Sequence, residues 1–283
     1  MHAHQYQLVF KGPDQPGIVA KISGCIFKHQ GLITEAKHHS NTYDHWFFMR
    51  QDIQFPDHFD HQSLIKDLSQ IVNQLNGSFE LHHAQKKKNV VIMVSKHLHC
   101  LHELLYRFDC GDMQGQLKAV ISNHQDAQSL CDHYQIPFHH IPAASSHDQA
   151  CFDHVTQTLK SLETETLVLA RYMQILPKSL CDSYKNNIIN IHHSFLPSFS
   201  GGFAYEQAFH HGVKLIGATC HFVTENLDEG PIIDQDVVRI SHADRVETLK
   251  KLGQQVEKNV LANGLQKFLE NRVFIHKNKT IVF

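Results

Sequence analysis

Asn190 and His192 stand two positions apart at the end of a short apolar run, Asn187 to Ile191. Side chains on a strand alternate, so both should face the same side. An amide donor beside a titratable imidazole suits a reaction that builds negative charge on a carbonyl oxygen. The run then breaks into His193-Ser194-Phe195-Leu196-Pro197 and on to Gly201-Gly202, a polar loop punctuated by Pro and Gly. Further along, the stretch from Gly217 to Ile233 adds a carboxylate, Asp228, on a second loop. The three together could polarise a carbonyl, protonate a leaving nitrogen and take a proton from water. A carboxylate beside an imidazolium also favours the charged ring, the form a proton donor needs. On the residues alone a plainer reading stays open, in which Asn190 caps a loop, His192 is a satisfied core histidine and Asp228 starts a turn.

Such groups need a rigid frame, and the pattern supplies one. From Val90 onward, strands alternate with helices: Val90–Val94, a helix marked by Leu98, Leu101, Leu104, Leu105 and Phe108, Leu117–Ser122, Pro137–Ile141, Thr166–Ala170 and the Asn190 strand. That alternation predicts an open, mostly parallel, Rossmann-like sheet with helices on both faces, whose sites lie at strand ends. Residues 244–270 should form a long helix, and Val273–His276 with Thr280–Phe283 a closing hairpin. The first part of the chain reads differently. Tyr6–Lys11, a helix from Ile18 stopped by Gly31, Leu32–Asn41, Trp46–Ile53, a helix over Leu64–Leu75 stopped by Gly77, and Ser78–His82 give β-α-β-β-α-β, a ferredoxin-like α+β arrangement. Gln85-Lys86-Lys87-Lys88-Asn89 lacks apolar residues and reads as a linker. The expected organisation is residues 1–84, a linker at 85–89, and 90–283.

Composition narrows the class. Of the 283 residues, 42% are hydrophobic and 19% charged, and the formal net charge is −2, so a core is available and a polyanion partner such as nucleic acid is disfavoured. No basic-then-apolar leader and no long apolar run occurs, and the chain reads as soluble, with no membrane partner. Seven scattered cysteines without a C-x-x-C point to reduced thiols and a cytoplasmic setting. The 26 histidines are spread over the whole chain, often in pairs, which fits compositional bias better than one metal site. His97-Leu98-His99-Cys100-Leu101-His102 has metal-like residue types, yet four well-placed zinc ligands are not evident from its spacing.

The motif N-x-H-x-S-x-L-P with the later His221 and D-x-G at Asp228 resembles the folate-dependent formyl-transfer family. With His193 where most transferases have Pro, it is most similar to the formyltetrahydrofolate deformylase branch. The resemblance covers nearly the whole chain and implies a catalytic trio of Asn190, His192 and Asp228. It also implies that His221 helps order the Asp228 loop, and that Ser194, Leu196, Pro197 and Gly201 shape the first loop, with a candidate cis bond before Pro197. Arg171, Tyr172, Met173, Gln174, Ile175 and Leu176 match the stretch that binds the pterin head. Asp14, Pro16 and Gly17 at the first strand–helix junction resemble an ACT domain, which implies an amino-acid effector held near Asp14 and Gly17 and assembly into a homo-oligomer. No metal or cofactor is implied, since 10-formyltetrahydrofolate is the substrate, hydrolysed to formate and tetrahydrofolate. In that family the formate feeds purine biosynthesis and balances the one-carbon pool.

Two departures stand out: Phe203 and Ala204 occupy positions where deformylases usually have Arg and Pro. Phe203 puts in doubt any contact that Arg makes with the folate tail, and His193, on an extended strand end, should turn away from His192. The alternative activity is transfer of the formyl group to an amine. Transferases acting on glycinamide ribonucleotide carry a glycine-rich phosphate loop after the first strand. Here that position reads Val94-Ser95-Lys96-His97-Leu98-His99, with no glycine to admit a phosphate. A non-catalytic sensor built on a decayed scaffold is the third reading, and the intact trio argues against it.

Overall fold

The computed structural model describes residues 4–144, 148–198 and 203–283. They form two compact units that adjoin in sequence between Lys87 and Lys88. The first contains β1 (His4–Pro13), α1 (Ile18–Lys28), β2 (Leu32–Asn41), β3 (Trp46–Phe55), α2 (His61–Gln74) and β4 (Ser78–His83). Its antiparallel sheet has the order β2-β3-β1-β4, the ferredoxin-like, ACT-like arrangement. α1 buries Ile18, Ile22, Cys25 and Ile26, and α2 buries Leu64, Leu68 and Val72, each a stripe at helical spacing. Both stripes join Leu8, Phe10, Ile53 and Phe55 of the sheet in one core. Asp60 starts α2 because its carboxylate accepts the otherwise unpaired N–H groups of Gln62 and Ser63.

The second unit begins with β5 (Lys88–Val94), α3 (His99–Asp109), β6 (Gly115–Ser122), α4 (Gln128–His133) and β7 (Phe138–His140). It continues through α5 (Gln149–Ser161), β8 (Thr166–Leu169), α6 (Lys178–Ser183), β9 (Ile188–His192), α7 (Ala204–His210), β10 (Leu215–Phe222) and β11 (Ile232–Arg239). α8 (Val246–Leu269) and the hairpin of β12 (Val273–His276) and β13 (Lys279–Val282) close it. The seven-stranded sheet has the order β11-β10-β9-β8-β5-β6-β7; β7, β6, β5, β8 and β9 are parallel, and β10 runs antiparallel to both of its neighbours, β9 and β11.

Alternation along β5 decides which core each side chain joins. Val90, Ile92 and Val94 pack with α3 and α8, whereas Val91 and Met93 pack with α5 and α6. A strand buried on both faces reads as a continuous apolar run, as this one does. The strand starts earlier than its apolar run. Lys88 and Asn89, read from sequence as linker, pair with Gly115 and Gln116 in β6. Lys88 joins the fold because its ammonium lies over the Phe268 ring and bonds Asn271, so its charge is satisfied at the start of the strand.

From β5 the chain goes to β6 and β7 on one side, and then to β8 and β9 on the other. The chain therefore leaves β5 and β8 toward opposite sides of the sheet, a switch point at whose carboxyl ends open α/β sheets build their sites. Because Ile92 is wholly buried in this central strand, Ile92→Ala should destabilise the second unit by about 2–5 kcal/mol, seen as a lower urea midpoint.

Candidate active site

β9 and β10 assemble the polar centre. Asn190 and His192 share one face of β9, and register sets His221 of β10 directly opposite Asn190. Residues so paired lie within reach of each other, and the Asn190 amide nitrogen is 3.1 Å from His221 Nε2. Asp228 comes from the loop between β10 and β11, which folds back over this face. Its carboxylate lies 3.2 Å from His192 Nδ1 and 3.7 Å from His221 Nε2. The fold-back is tight. Asp228 itself takes a left-handed φ of 58°, and a Cβ on Gly230 would stand 1.7 Å from the Phe222 carbonyl oxygen, so only glycine fits there.

The hydrogen bonds fix the direction of each donor. His221 Nδ1 lies 2.8 Å from the Phe222 carbonyl and must donate to it. In the neutral ring, Nε2 is then an acceptor, so the Asn190 amide donates to it. Burial pushes the His221 pKa down, and the Phe222 bond and Asp228 only partly oppose that. A neutral His221 thus orients Asn190, while His192 is the imidazole in direct contact with the carboxylate.

These groups line a cavity of about 210 Å³. Its other wall is the segment after β8, where Arg171, Met173, Gln174, Ile175 and Leu176 all border it. Arg171 also takes a left-handed φ, of 63°. The segment is clasped to the loop after β5, since Ser95 N donates to the Arg171 carbonyl and Met173 N donates to the Ser95 hydroxyl. The non-glycine stretch that follows β5 is therefore spent on holding this wall.

The structure brings most of the predicted residues together. Asn190, His192, Asp228, His193, His221 and the 171–176 segment share the cavity. Ser194 and Pro197 do not line it. Ser194 borders a neighbouring cavity of about 370 Å³ and donates its hydroxyl to Ser198. Pro197 follows a cis bond, and the turn is tied to β10 where Leu196 N donates to the Thr219 hydroxyl. Gly201 lies outside the described residues. His193 was expected to turn away from His192, but β9 ends at His192 and alternation ends with it. The two rings stay 5.1 Å apart, and His193 lies 5.6 Å from the Tyr205 ring. Ala204 opens α7, the helix position that also accepts Pro, and Phe203 beside it is exposed. In the first unit, the Asp14 carboxylate accepts from the Ser40 hydroxyl, and Gly17 takes a left-handed φ of 91° at the start of α1.

Sequence reasoning missed a buried carboxylate. Glu257 of α8 is 1% exposed and meets His99 at 2.9 Å, the Tyr205 hydroxyl at 2.5 Å and Arg171 at 3.5 Å. Burial alone pushes its carboxyl up. The His99 bond, the Arg171 charge and Tyr205 outweigh that and hold it down to about 2. One signal was available, because Glu257 sits between Val256 and Val260 on the stripe that α8 buries.

Two groups of described residues bring three ligating side chains together: His99, Cys100 and Glu257, and Cys25, His29 and Asp67. In the first, His99 is bonded to Glu257, and burial pushes the Cys100 thiol well up, away from the thiolate a metal needs. In the second, the Lys28 ammonium holds Asp67 at 2.7 Å.

Residues 88–265 match the Formyl transferase family. The formyltetrahydrofolate deformylase of Bacillus subtilis (strain 168) is 40% identical over 98% of this chain and 93% of its own length. That of Escherichia coli (strain K12) is 38% identical over 95% of both. The crystal structure of a formyltetrahydrofolate deformylase from Pseudomonas syringae pv. tomato is 46% identical, with a TM-score of 0.95 over 99% of this chain and 94% of that one. The chain belongs to the formyltetrahydrofolate deformylase family. Glycinamide ribonucleotide transformylase 1 from Symbiobacterium toebii is more distant, with 28% identity and a TM-score of 0.66 over 70% of this chain and 94% of its own. Both units of the chain are thus spanned by formyltetrahydrofolate deformylases, whereas the transformylase leaves nearly a third of it unmatched.

Glu257 has a consequence for acid stability. A carboxyl held near 2, below its ordinary 4.5, contributes stability that is fully present above 4.5 and is lost as pH falls toward 2. Glu257→Gln should be less stable at neutral pH and lose less between those limits, read from urea midpoints at a series of pH values.

Proposed function

We propose that this protein hydrolyses 10-formyltetrahydrofolate to formate and tetrahydrofolate, with Asn190, His192 and Asp228 as its catalytic residues. Asp228 takes a proton from water as the water oxygen attacks the formyl carbon. Asn190 and His192 hold the oxygen that becomes negative, and His192 delivers the proton that lets the folate nitrogen leave. Formate and the secondary amine are then the products, and no redox partner or metal enters the balance. The observation that carries this reading is the contact of Asp228 with His192 Nδ1 at 3.2 Å in a cavity that Asn190 also lines. A carboxylate placed there can serve as base and keep the imidazole oriented.

The remaining assignments follow the same geometry. Arg171, Met173, Gln174, Ile175 and Leu176 form the wall that receives the pterin head. His193 and His221 flank the reacting groups, and Ser194 and Pro197 shape the loop beside them. The formate supplies purine biosynthesis and balances the one-carbon pool. A cytosolic setting fits the cysteines, all seven of which are free and six of them buried. Among the described residues, no helix is long and apolar enough to cross a membrane. In the first unit, Asp14 and Gly17 are the proposed effector site, for an amino acid.

Incubation with 10-formyltetrahydrofolate, with and without glycinamide ribonucleotide, tests the activity. Formate should appear at the same rate in both, and formyl transfer to the amine would overturn the reading. Asp228→Asn keeps the shape and removes the base, so turnover should fall by roughly 10²–10⁴ while tetrahydrofolate binding changes little.

The first unit is also the proposed site of self-association. β2 is an outer strand of its sheet and its residues are mostly exposed, an edge that pairs readily with a copy of itself. The full-length protein should sediment as an oligomer, and a monomer over a wide concentration range would refute this.

A further inference from the structure

Glu257 takes no part in the hydrolysis proposed above, yet its three partners come from three different segments, of which Arg171 lines the site cavity and Tyr205 the cavity beside it. His99 opens α3, Arg171 follows β8, and Tyr205 stands in the first turn of α7. Tyr205 Oη donates to Glu257 Oε1 at 2.5 Å, and His99 Nε2 lies 2.9 Å from Oε2. The Tyr205 ring lies 5.6 Å from that of His193, which lies 5.1 Å from that of His192. A chain of contacts therefore runs from the buried anion through a phenol and a second imidazole to the catalytic one. A second branch runs through Arg171, 91% buried, to the wall that continues into Met173 and Leu176.

The surroundings are arranged for this chain. Gly253 lies one helical turn before Glu257, inside α8. A Cβ there would stand 2.0 Å from the Tyr205 hydroxyl oxygen, so the phenol reaches Glu257 only over a glycine. A glycine inside a helix costs stability relative to alanine, and a buried ion pair is often no more stabilising than apolar side chains of the same volume. The glycine is not explained by stability, and the ion pair, although breaking it is costly, has no advantage in stability over an apolar core. Both are explained if direction and length matter, because a charged acceptor fixes its donors in one geometry.

We propose that Glu257 is the positioning residue of the active site: through Tyr205 it holds His193 against His192, and through Arg171 it holds the wall that receives the folate. The two branches have separable consequences. Tyr205 and Gly253 act on the reacting side, and Arg171 acts on the binding side. The kinetic part of the test rests on the hydrolysis reading, and a spectroscopic part stands apart from it.

Tyr205→Phe keeps the ring and removes the donor, and Gly253→Ala pushes the phenol off the carboxylate while leaving every polar group in place. Each should lower kcat for formate release by roughly ten- to a hundredfold, the scale of a misplacement near 1 Å, with KM little changed. Arg171→Lys, whose ammonium carries its charge at a different point from the guanidinium Nε that lies 3.5 Å from Glu257, should raise KM more than it lowers kcat. The second readout is the ring Cε1–H resonances of His193 and His192, assigned through single His→Gln substitutions. They should move in Tyr205→Phe and in Gly253→Ala, while the resonance of His82 in the first unit stays put. A merely structural role predicts a lower melting temperature and a smaller folded fraction, with wild-type kcat and KM per folded molecule. That result, or unmoved histidine resonances, overturns the proposal. If the wild-type protein releases no formate but the resonances move, the hydrolysis reading fails and the positioning role stands.

Discussion

The antiparallel pairing of β9 with β10 is the constraint on which the site depends. The five parallel strands deliver loops to one end of the sheet, and β10, reversing direction, runs back past the end of β9. It sets His221 across from Asn190 and Thr219 across from His192. Thr219 then holds both sides of the turn after β9, donating to the Ser194 carbonyl and accepting from Leu196 N. Gln235 on β11 adds bonds to the Leu196 carbonyl and to Thr219. One register thus fixes the amide, its orienting histidine and the turn that follows the imidazole. A slip of one residue would turn Asn190 and His192 to the α8 side of the sheet.

The junction of the loops after β5 and β8 shows the same economy in a different form. A loop after the first strand of such a sheet commonly meets a phosphate through its backbone. Here Ser95 uses that place to bind the neighbouring loop twice, once by its N–H and once by its hydroxyl, and its hydroxyl also donates to Asn123. The wall made by Met173 to Leu176 is consequently held from the sheet side by Ser95, and Arg171 holds its start from the α8 side. A wall fixed at two points suits a flat aromatic head, because little ordering remains to be done on binding.

Much of this was legible in the sequence, and the reasons are local. Alternation gave the shared face of Asn190 and His192, helical spacing gave α8 to within a few residues, and the run of alternating elements gave the parallel sheet. What escaped depended on distances across the fold. Glu257 is far in sequence from His99, Arg171 and Tyr205, and no short-range rule pairs them. Lys88 and Asn89 looked like linker because charge and polarity outweighed their place before Val90; only Phe268 and Asn271 explain why Lys88 is retained in the strand. His193 escaped for a third reason, since alternation applies only while the strand lasts. Of the 26 histidines, those that matter were marked by context and not by type.

Two imidazoles beside one carboxylate pose a problem of division of labour, and the backbone resolves it. If His221 were protonated at both nitrogens, Asn190 would lose its acceptor and turn its amide elsewhere. The Phe222 carbonyl claims the Nδ1 proton, and burial disfavours a second one, so His221 presents a lone pair to Asn190. That bond occupies one amide hydrogen of Asn190 and so fixes the direction of the other. Asp228, closer to His192 than to His221, then bears chiefly on the His192 imidazole. The two imidazoles are thereby given different places, one a fixed acceptor and one in contact with the carboxylate, by one backbone carbonyl, which no substitution can remove while β10 keeps its course.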